Sequence, residues 1–149
     1  MKTFMNTLIT TKLGLDTLPV RIGAGVIFAA HGAQKLFGWF GGYGLEDTAG
    51  WMESIGLAPG ILMAVAAGSA EFFGGLFLIA GLLVRPAAIV LAITMLVAIV
   101  TVHLQNGLFM SNNGYEFGLA LLVISITLAI RGAGSLSVDD LIQKKLANH

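Results

Sequence analysis

Four long apolar stretches run along the chain, separated by short polar connections. They cover 18–40, 59–84, 86–105 and 114–130, and each is close to the ~20 residues that an α-helix needs to cross a bilayer. Glycines end the first stretch, Arg85-Pro86 divides the second from the third, and the asparagine-rich segment 106–114 precedes the fourth. The pattern predicts an all-α polytopic membrane protein, a four-transmembrane-helix bundle forming a single domain over 1–149.

Two shorter amphipathic segments lie outside these stretches. Asp47 is placed to cap a helix that carries Trp51 on its apolar side and ends near Gly56. We expect this helix to lie at the outer membrane interface. Ser137-Val-Asp-Asp is a variant of the capping box and opens a C-terminal amphipathic helix that reaches about Ala147.

Composition agrees with a membrane protein. Of the 149 residues, 56% are hydrophobic and 11% charged, whereas soluble chains average about a quarter charged residues. The formal net charge is zero, so no basic face is available to nucleic acid, which we exclude as a partner. Cysteine is absent, which removes disulfides, thiolate metal sites and CxxC redox chemistry. Any redox role therefore needs a bound cofactor or a partner.

The positions of the basic residues predict how the chain is oriented. Positively charged connections stay on the cytoplasmic side. The residues assigned to that side are Lys2, Lys12, Arg21, Arg85, Arg131, Lys144 and Lys145. Lys35 falls on the opposite side with the acidic Glu46, Asp47 and Glu53. The chain is thus expected to cross a bacterial inner membrane several times, with both termini cytoplasmic and with membrane lipid as its surroundings.

Six polar side chains interrupt the apolar stretches on the outer side. They are His31, Gln34 and Lys35 in the first, Glu71 in the second, His103 in the third and Glu116 in the fourth. Counted at 1.5 Å per residue, His31 and Glu71 fall near mid-membrane, and Lys35, His103 and Glu116 nearer the outer surface. All four spans are therefore expected to contribute to one site in the outer half.

The expected chemistry of this site is proton exchange. A lone charge near the bilayer centre costs about 2.5 to 3.5 kcal/mol unless it finds a partner, and His31 is the best available partner for Glu71. Such a pair can hold one proton or two, so we assign proton exchange to His31 and Glu71 and binding to Gln34, Lys35, His103 and Glu116. A metal is disfavoured because no ExxH pair is present, and haem because the two histidines differ in level.

Some of these residues also have purely structural explanations. Lys35 is long enough to extend its ammonium group to the outer interface. Glu116 begins a helix, where a carboxylate is favoured by the helix dipole, and His103 lies at the end of a span. Arg21 and Arg85 are explained by the positive-inside rule, although Arg21 could reach inward.

An ordered set of motifs resembles a known family. The motifs are Arg21-x3-Gly25-x2-Phe28-x2-His31-Gly32-x2-Lys35, then Gly41-Gly42-Tyr43-Gly44, then Glu71-x2-Gly74-Gly75-x5-Gly81-x3-Arg85, then Tyr115-Glu116, and last Gly134-Ser-Leu-Ser-Val-Asp139. Together they resemble the DoxX family of small four-span bacterial membrane proteins, from about residue 19 to 141. The chain departs from the family in having Ala133 where a proline is usual.

The resemblance implies an oxidoreductase component that works near the quinone pool. The family includes relatives of the DoxD subunit of a thiosulfate:quinone oxidoreductase and members associated with thiol or oxidative-stress systems. The leading hypothesis is that the chain binds quinone or a similar lipophilic redox partner and works with a soluble or membrane redox partner. A non-catalytic scaffold subunit and a small transporter or proton path are the alternatives. Homo-oligomers are compatible with each.

Overall fold

The structure is a computed structural model that describes residues 7, 9–11 and 14–147; Lys2 and Lys12, which entered the orientation prediction, lie outside this part. All regular structure in the described part is helical, which confirms the all-α prediction. The α-helices whose bounds lie within residues 14–147 are α1 Leu18–Phe37, α2 Gly44–Ser54, α3 Gly60–Ala80, α4 Val84–Ala98, α5 Glu116–Arg131 and α6 Val138–Ala147.

Glycines set the ends of two long helices earlier than the apolar pattern predicts. The first stretch was expected to reach residue 40 and the second residue 84. Gly38 and Gly81 instead adopt left-handed conformations, with φ of 71° and 69°, which a residue without Cβ reaches at little cost. α1 therefore ends at Phe37 and α3 at Ala80.

The third long helix starts earlier and ends less regularly than predicted. α4 begins at Val84, with Pro86 inside the first turn, where no backbone N–H is required. Beyond Ala98 the chain continues through a π-helical turn, Ile99–His103, and a 3-10 turn, Leu104–Asn106. The predicted end at residue 105 is close to this point.

Of the two predicted helix caps, one is confirmed and one is wrong. The backbone N–H of Asp140 donates to the Ser137 hydroxyl at 3.1 Å, and α6 extends from Val138 to Ala147, the last residue that the structure describes. Asp47 does not cap α2, because the helix already begins at Gly44 and places Asp47 in its first turn. A carboxylate is still favoured there by the helix dipole.

Among the residues that the structure describes, two helical segments are long and apolar enough to cross a membrane by themselves, Gly60–Ala80 and Val84–Asn106. α1 has 20 residues, but Arg21, His31 and Lys35 lower its hydropathy. α5 has only 16 residues.

The long helices pack in the order α1, α3, α4, α5. α1 lies along α3, α3 beside α4 and α4 along α5, whereas α1 and α5 touch only sparsely. Phe28, Leu78, Leu91 and Leu128, one from each long helix, are almost fully buried in the main core. α2 packs on α3 through a second cluster that contains Met52 and Ala64. The polar residues of α1 and α3 are therefore held by a close helix pair.

Candidate functional site

Glycines allow the backbones of α1 and α3 to approach closely. A methyl group built on Gly32 would overlap the backbone of Phe72, and one built on Gly75 would overlap the backbone of Ala29. Small residues at a helix interface permit such approach in membrane proteins. The contact fixes which side chains of α1 face the centre of α3.

Lys35 and Glu71 form an ion pair across this contact, in which the carboxylate is buried and the lysine is partly buried. Lys35 Nζ lies 2.6 Å from Glu71 Oε2, and the two side chains are 25% and 5% exposed. Lys35 lies beside Gly68, three residues before Glu71, so its long side chain reaches the carboxylate along the α3 surface. No other described residue donates a hydrogen bond to the second oxygen, Oε1. The pair thus keeps a free acceptor.

The prediction that Glu71 pairs with His31 is wrong, because the partner of the Glu71 carboxylate is Lys35. His31 is exposed and its ring centroid lies 6.0 Å from that of Phe117 on α5. Gly32, the next residue, meets the α3 backbone, which turns His31 toward the sparsely packed side of α1. His31 remains one turn from Lys35 and therefore borders the ion pair.

Gln34 holds the connection that follows α1. Its side-chain amide donates to the Phe40 carbonyl at 3.3 Å, and the Gly42 backbone packs against the Gln34 backbone and Cβ. Phe40 itself has a positive φ of 53°. Gln34 therefore positions a strained turn at the end of α1.

His103 and Glu116 stabilise the connection between α4 and α5. His103 Nδ1 lies 2.9 Å from the Asn113 carbonyl, and Glu116 Oε1 accepts the Met110 backbone N–H at 2.6 Å. Of the six residues expected in one site, the structure thus joins Lys35 and Glu71 directly and places His31 beside them. Gln34, His103 and Glu116 bond to connecting segments.

Five aromatic rings form a row that starts in the connection after α1 and crosses to α3. In order along the row they are Phe40, Trp39, Phe37, Phe72 and Phe73, and successive ring centroids lie 5.0 to 6.3 Å apart. Phe37 follows Lys35 by two residues and Phe72 directly follows Glu71. Aromatic surfaces of this kind favour a flat apolar ligand.

Arg21 and Asp139 form a second buried polar cluster, which the sequence interpretation missed. Arg21 is 1% exposed and donates to the carbonyls of Leu78, Ile79, Ala133 and Leu136 at 2.5 to 3.1 Å. The Asp139 carboxylate accepts the backbone N–H groups of Leu83 and Val84, which begin α4. The positive-inside rule alone accounts for a basic residue at this position, so the sequence did not predict the four backbone acceptors of Arg21.

Burial raises the pKa of the Asp139 carboxyl above its usual value. The N–H donors of Val84 and Leu83 and the charge of Arg21 act in the opposite direction. The cluster links α1, the end of α3, the start of α4 and α6. Its role is to fasten the C-terminal segment to the long helices.

The described part of the chain contains no group of three histidine, aspartate or glutamate side chains close enough to hold a metal ion. The ion pair itself offers one carboxylate and one ammonium group, and an ammonium group has no lone pair for a metal.

Comparison with known proteins identifies relatives over most of the chain. The sequence profile of the DoxX family matches residues 17–104. A Bacillus subtilis (strain 168) protein named "Putative oxidoreductase CatD" is 35% identical over 134 residues, 90% of this chain and 92% of the relative. A Haemophilus influenzae (strain Rd) protein named "Uncharacterized protein" is 30% identical over 129 residues, 85% of this chain and 90% of the relative. No solved structure matches significantly.

Proposed function

The chain belongs to the DoxX family of membrane proteins, and from this premise we propose that it is the membrane component of a quinone-linked oxidoreductase, with the Lys35–Glu71 pair at its site. The name of the Bacillus relative supports the oxidoreductase class. The observation that carries the proposal is an ion pair between α1 and α3 whose buried carboxylate keeps a free oxygen, on the same two helices that share a row of aromatic rings.

The proposed arrangement is a four-span protein of the bacterial inner membrane with both termini in the cytoplasm. In this orientation α2 lies at the outer surface, and the exposed Trp39, Tyr43 and Trp51 lie at interface depth. Arg85, Arg131, Lys144 and Lys145 then lie on the cytoplasmic side, which fits the positive-inside rule. The site falls in the outer half of the membrane.

The residues present fit a quinone headgroup. The Lys35 ammonium group can donate to a carbonyl oxygen, the rings of Phe37 and Phe72 offer apolar faces, and His31 borders the pair from the α5 side. A bound quinone would supply two-electron, two-proton chemistry. Because the chain has no cysteine, we assign the electrons to a soluble or membrane redox partner.

The protein's own contribution is proton handling and orientation. Glu71 Oε1 can hold a proton while Oε2 keeps its bond to Lys35. The side chain of His31 is exposed and can exchange protons at the edge of the site. Lys35 fixes the Glu71 carboxylate and directs a positive charge toward the position where negative charge would develop.

Binding of a short-tail quinone analogue to the purified protein in lipid nanodiscs tests the proposal. Quenching of Trp39 fluorescence reports binding when Trp51 is replaced by phenylalanine. We expect Glu71→Gln to weaken binding at least tenfold and the matched variant Glu46→Gln, at an exposed position of α2, to leave it unchanged. Absence of binding to the wild type, or equal binding by Glu71→Gln in folded protein, would overturn the proposal.

A non-catalytic scaffold is the second candidate, because Lys35 already neutralises Glu71 and the glycine contact locks α1 to α3. A scaffold predicts that the double variant Lys35→Met/Glu71→Met still co-purifies with its redox partner and supports full activity. The quinone proposal predicts that partner binding survives in this variant while quinone-dependent activity is lost.

A further inference from the structure

The end of the bundle opposite α2 carries an open cleft between α1 and α5. Its walls are Asp16, Thr17 and Val20 around the start of α1 and Thr127, Leu128 and Arg131 at the end of α5. Its volume is about 300 Å³, at the lower end of the roughly 300 to 1,000 Å³ typical of small-ligand sites. Val20 and Thr127 are exposed and α1 and α5 touch only sparsely, so the cleft lies on the outside of the bundle.

The two charged walls of the cleft have opposite signs. Arg131 and Asp16 form an ion pair, with side chains 36% and 54% exposed. An ion pair with this exposure contributes little to stability, because water screens both charges. A ligand that carries charges of its own can therefore separate the two side chains at small cost.

Arg131 differs in its bonding from the two other arginines of the chain. Arg21 donates to four backbone carbonyls and Arg85 to two. Within the residues that the structure describes, Arg131 bonds through Nη2 alone, to Asp16. A guanidinium group has five N–H donors, so Nε and Nη1 of Arg131 keep donors for an anion. Phosphate oxygens match the geometry of these donors.

The remaining walls of the cleft are suited to hydrocarbon. The hydroxyl groups of Thr17 and Thr127 already donate to backbone carbonyls, so they need no further acceptor. Val20 and Leu128 supply apolar surface. The cleft thus combines a positive group, a negative group and apolar walls where two membrane helices end, and a zwitterionic phospholipid carries the complementary groups in the same arrangement.

We propose that this cleft binds one phospholipid with an ethanolamine headgroup. The lipid phosphate accepts hydrogen bonds from the Arg131 guanidinium, the lipid ammonium group donates to the Asp16 carboxylate, and the acyl chains lie against Val20 and Leu128. Pockets with basic side chains between membrane helices recognise lipid headgroups in this way. The inference rests on the proposed membrane arrangement, which puts these helix ends at headgroup level, and does not depend on quinone.

The charges of the cleft predict which headgroup is preferred. Phosphatidylglycerol offers the same phosphate without a cation, so it would leave Asp16 unpaired beside a second negative charge. Phosphatidylcholine carries a cation without an N–H donor, so it cannot form a hydrogen bond to Asp16. The expected order of affinity is ethanolamine, then choline, then glycerol.

Native mass spectrometry of the detergent-purified protein tests the proposal, because the added mass identifies each bound lipid. The delipidated wild type is titrated with phosphatidylethanolamine and with phosphatidylglycerol of the same chain length. We expect phosphatidylethanolamine to bind at least tenfold more tightly. Equal affinities for the two lipids, or no bound lipid, would overturn the proposal.

Two variants connect the binding to the two charges. Arg131→Gln should weaken binding of phosphatidylethanolamine at least tenfold. Asp16→Asn should bring the affinities for the two lipids within threefold of each other, because it removes the partner of the ammonium group and the repulsion of phosphatidylglycerol. Both positions are exposed, so thermal unfolding should stay close to that of the wild type. Unchanged phosphatidylethanolamine binding in Arg131→Gln would contradict the proposal.

Lys145→Gln is the matched control. It removes an exposed positive charge on α6 that is not a wall of the cleft, and it should leave both affinities unchanged. A loss of lipid binding as large as that in Arg131→Gln would show general charge attraction in place of a site, and this would overturn the proposal.

The headgroup without its chains separates a lipid site from a site for a soluble phosphate compound. Glycerophosphoethanolamine has the same charges but no acyl chains. We expect it to displace the lipid only at concentrations at least a hundredfold higher, because it makes no contact with the apolar walls. Displacement at the same concentration as the lipid would overturn the lipid assignment. These measurements contain no quinone, so the lipid site and the quinone proposal fail independently.

Discussion

Lys35 neutralises Glu71 across the α1–α3 contact, with 2.6 Å between the ammonium nitrogen and the carboxylate oxygen. Two charges that would each be costly in hydrocarbon thereby share one low-dielectric position. The pair joins the two helices at the same level as the aromatic row, so stability and binding depend on the same side chains. Each variant of this pair must therefore be measured for folding stability and for ligand binding separately.

Removing one partner of this pair should destabilise the protein more than removing both. Lys35→Met leaves Glu71 buried without its counter-ion, and we expect a loss of about 3 kcal/mol in the free energy of unfolding. The double variant Lys35→Met/Glu71→Met should recover most of that loss. Denaturant unfolding in detergent measures both. Asp16→Asn, which removes the partner of Arg131 in a pair whose side chains are both exposed, should cost less than about 1 kcal/mol.

The glycine contact should tolerate no side chain. Gly32→Ala would place a methyl group against the Phe72 backbone and is expected to cost about 2 kcal/mol or more, since neither helix backbone can yield locally. Gly23→Ala on the same helix has nothing within 4 Å of its new methyl group and should be neutral or stabilising by up to about 1 kcal/mol. Equal melting temperatures for the two variants would refute the close-contact explanation.

His31 should matter for binding and little for folding. Its side chain is exposed and its one ring contact is with Phe117, so His31→Phe should change the free energy of unfolding by less than about 1 kcal/mol. The same variant removes both ring nitrogens and is expected to weaken quinone analogue binding at least fivefold. Unchanged affinity in His31→Phe and His31→Gln would remove His31 from the proposed site.

Glu116 should contribute to stability through its hydrogen bond to the connection between α4 and α5. Glu116→Ala removes the acceptor for the Met110 N–H, with an expected cost of about 1 kcal/mol. Glu116→Gln keeps a side-chain carbonyl and should cost less. Unfolding measurements on both variants check this order, and faster amide hydrogen exchange at Met110 in Glu116→Ala should accompany the loss. Identical values for the two variants would mean that the bond does not hold the connection.

Asp139 should make the folded protein less stable as the pH rises, the opposite of the effect of most aspartates. Burial raises its pKa in the folded state above the unfolded value, so the folded protein binds its proton more tightly. Stability should therefore fall as pH rises from the usual aspartate pKa toward the raised one. Asp139→Asn removes this contribution, although it also weakens the bonds to Leu83 and Val84. Unfolding between pH 3.5 and 7 checks the slope, and an unchanged slope in the variant would contradict it.

The helices could be predicted from sequence because their causes are local. Apolar length, glycine after the last turn and serine before the first turn of α6 each act within a few residues. The ends of α1 and α3 were placed three to four residues too far along because the apolar pattern continues past Gly38 and Gly81, although the helix does not. Leu82 and Leu83 are apolar but lie in the turn that follows.

The pairing of the polar residues could be predicted only in part. Sequence spacing puts His31 and Lys35 on related sides of α1, but which of them meets Glu71 depends on the glycines that bring α3 close. The acceptors of Arg21 are backbone carbonyls. Every residue has one, so the sequence does not show which of them will bind Arg21. His103 and Glu116 were placed correctly near helix ends, where bonds to the connecting segment compete with any role in a shared site.

The bonds of Arg21 also have a consequence for the order of synthesis. Two of its four acceptors, Ala133 and Leu136, follow it by more than a hundred residues. A ribosome therefore releases the helix that carries this guanidinium long before those carbonyls exist. Until the segment with Ala133 and Leu136 emerges, Arg21 can bond only to the Leu78 and Ile79 carbonyls of α3, and water or lipid phosphate must satisfy its remaining donors.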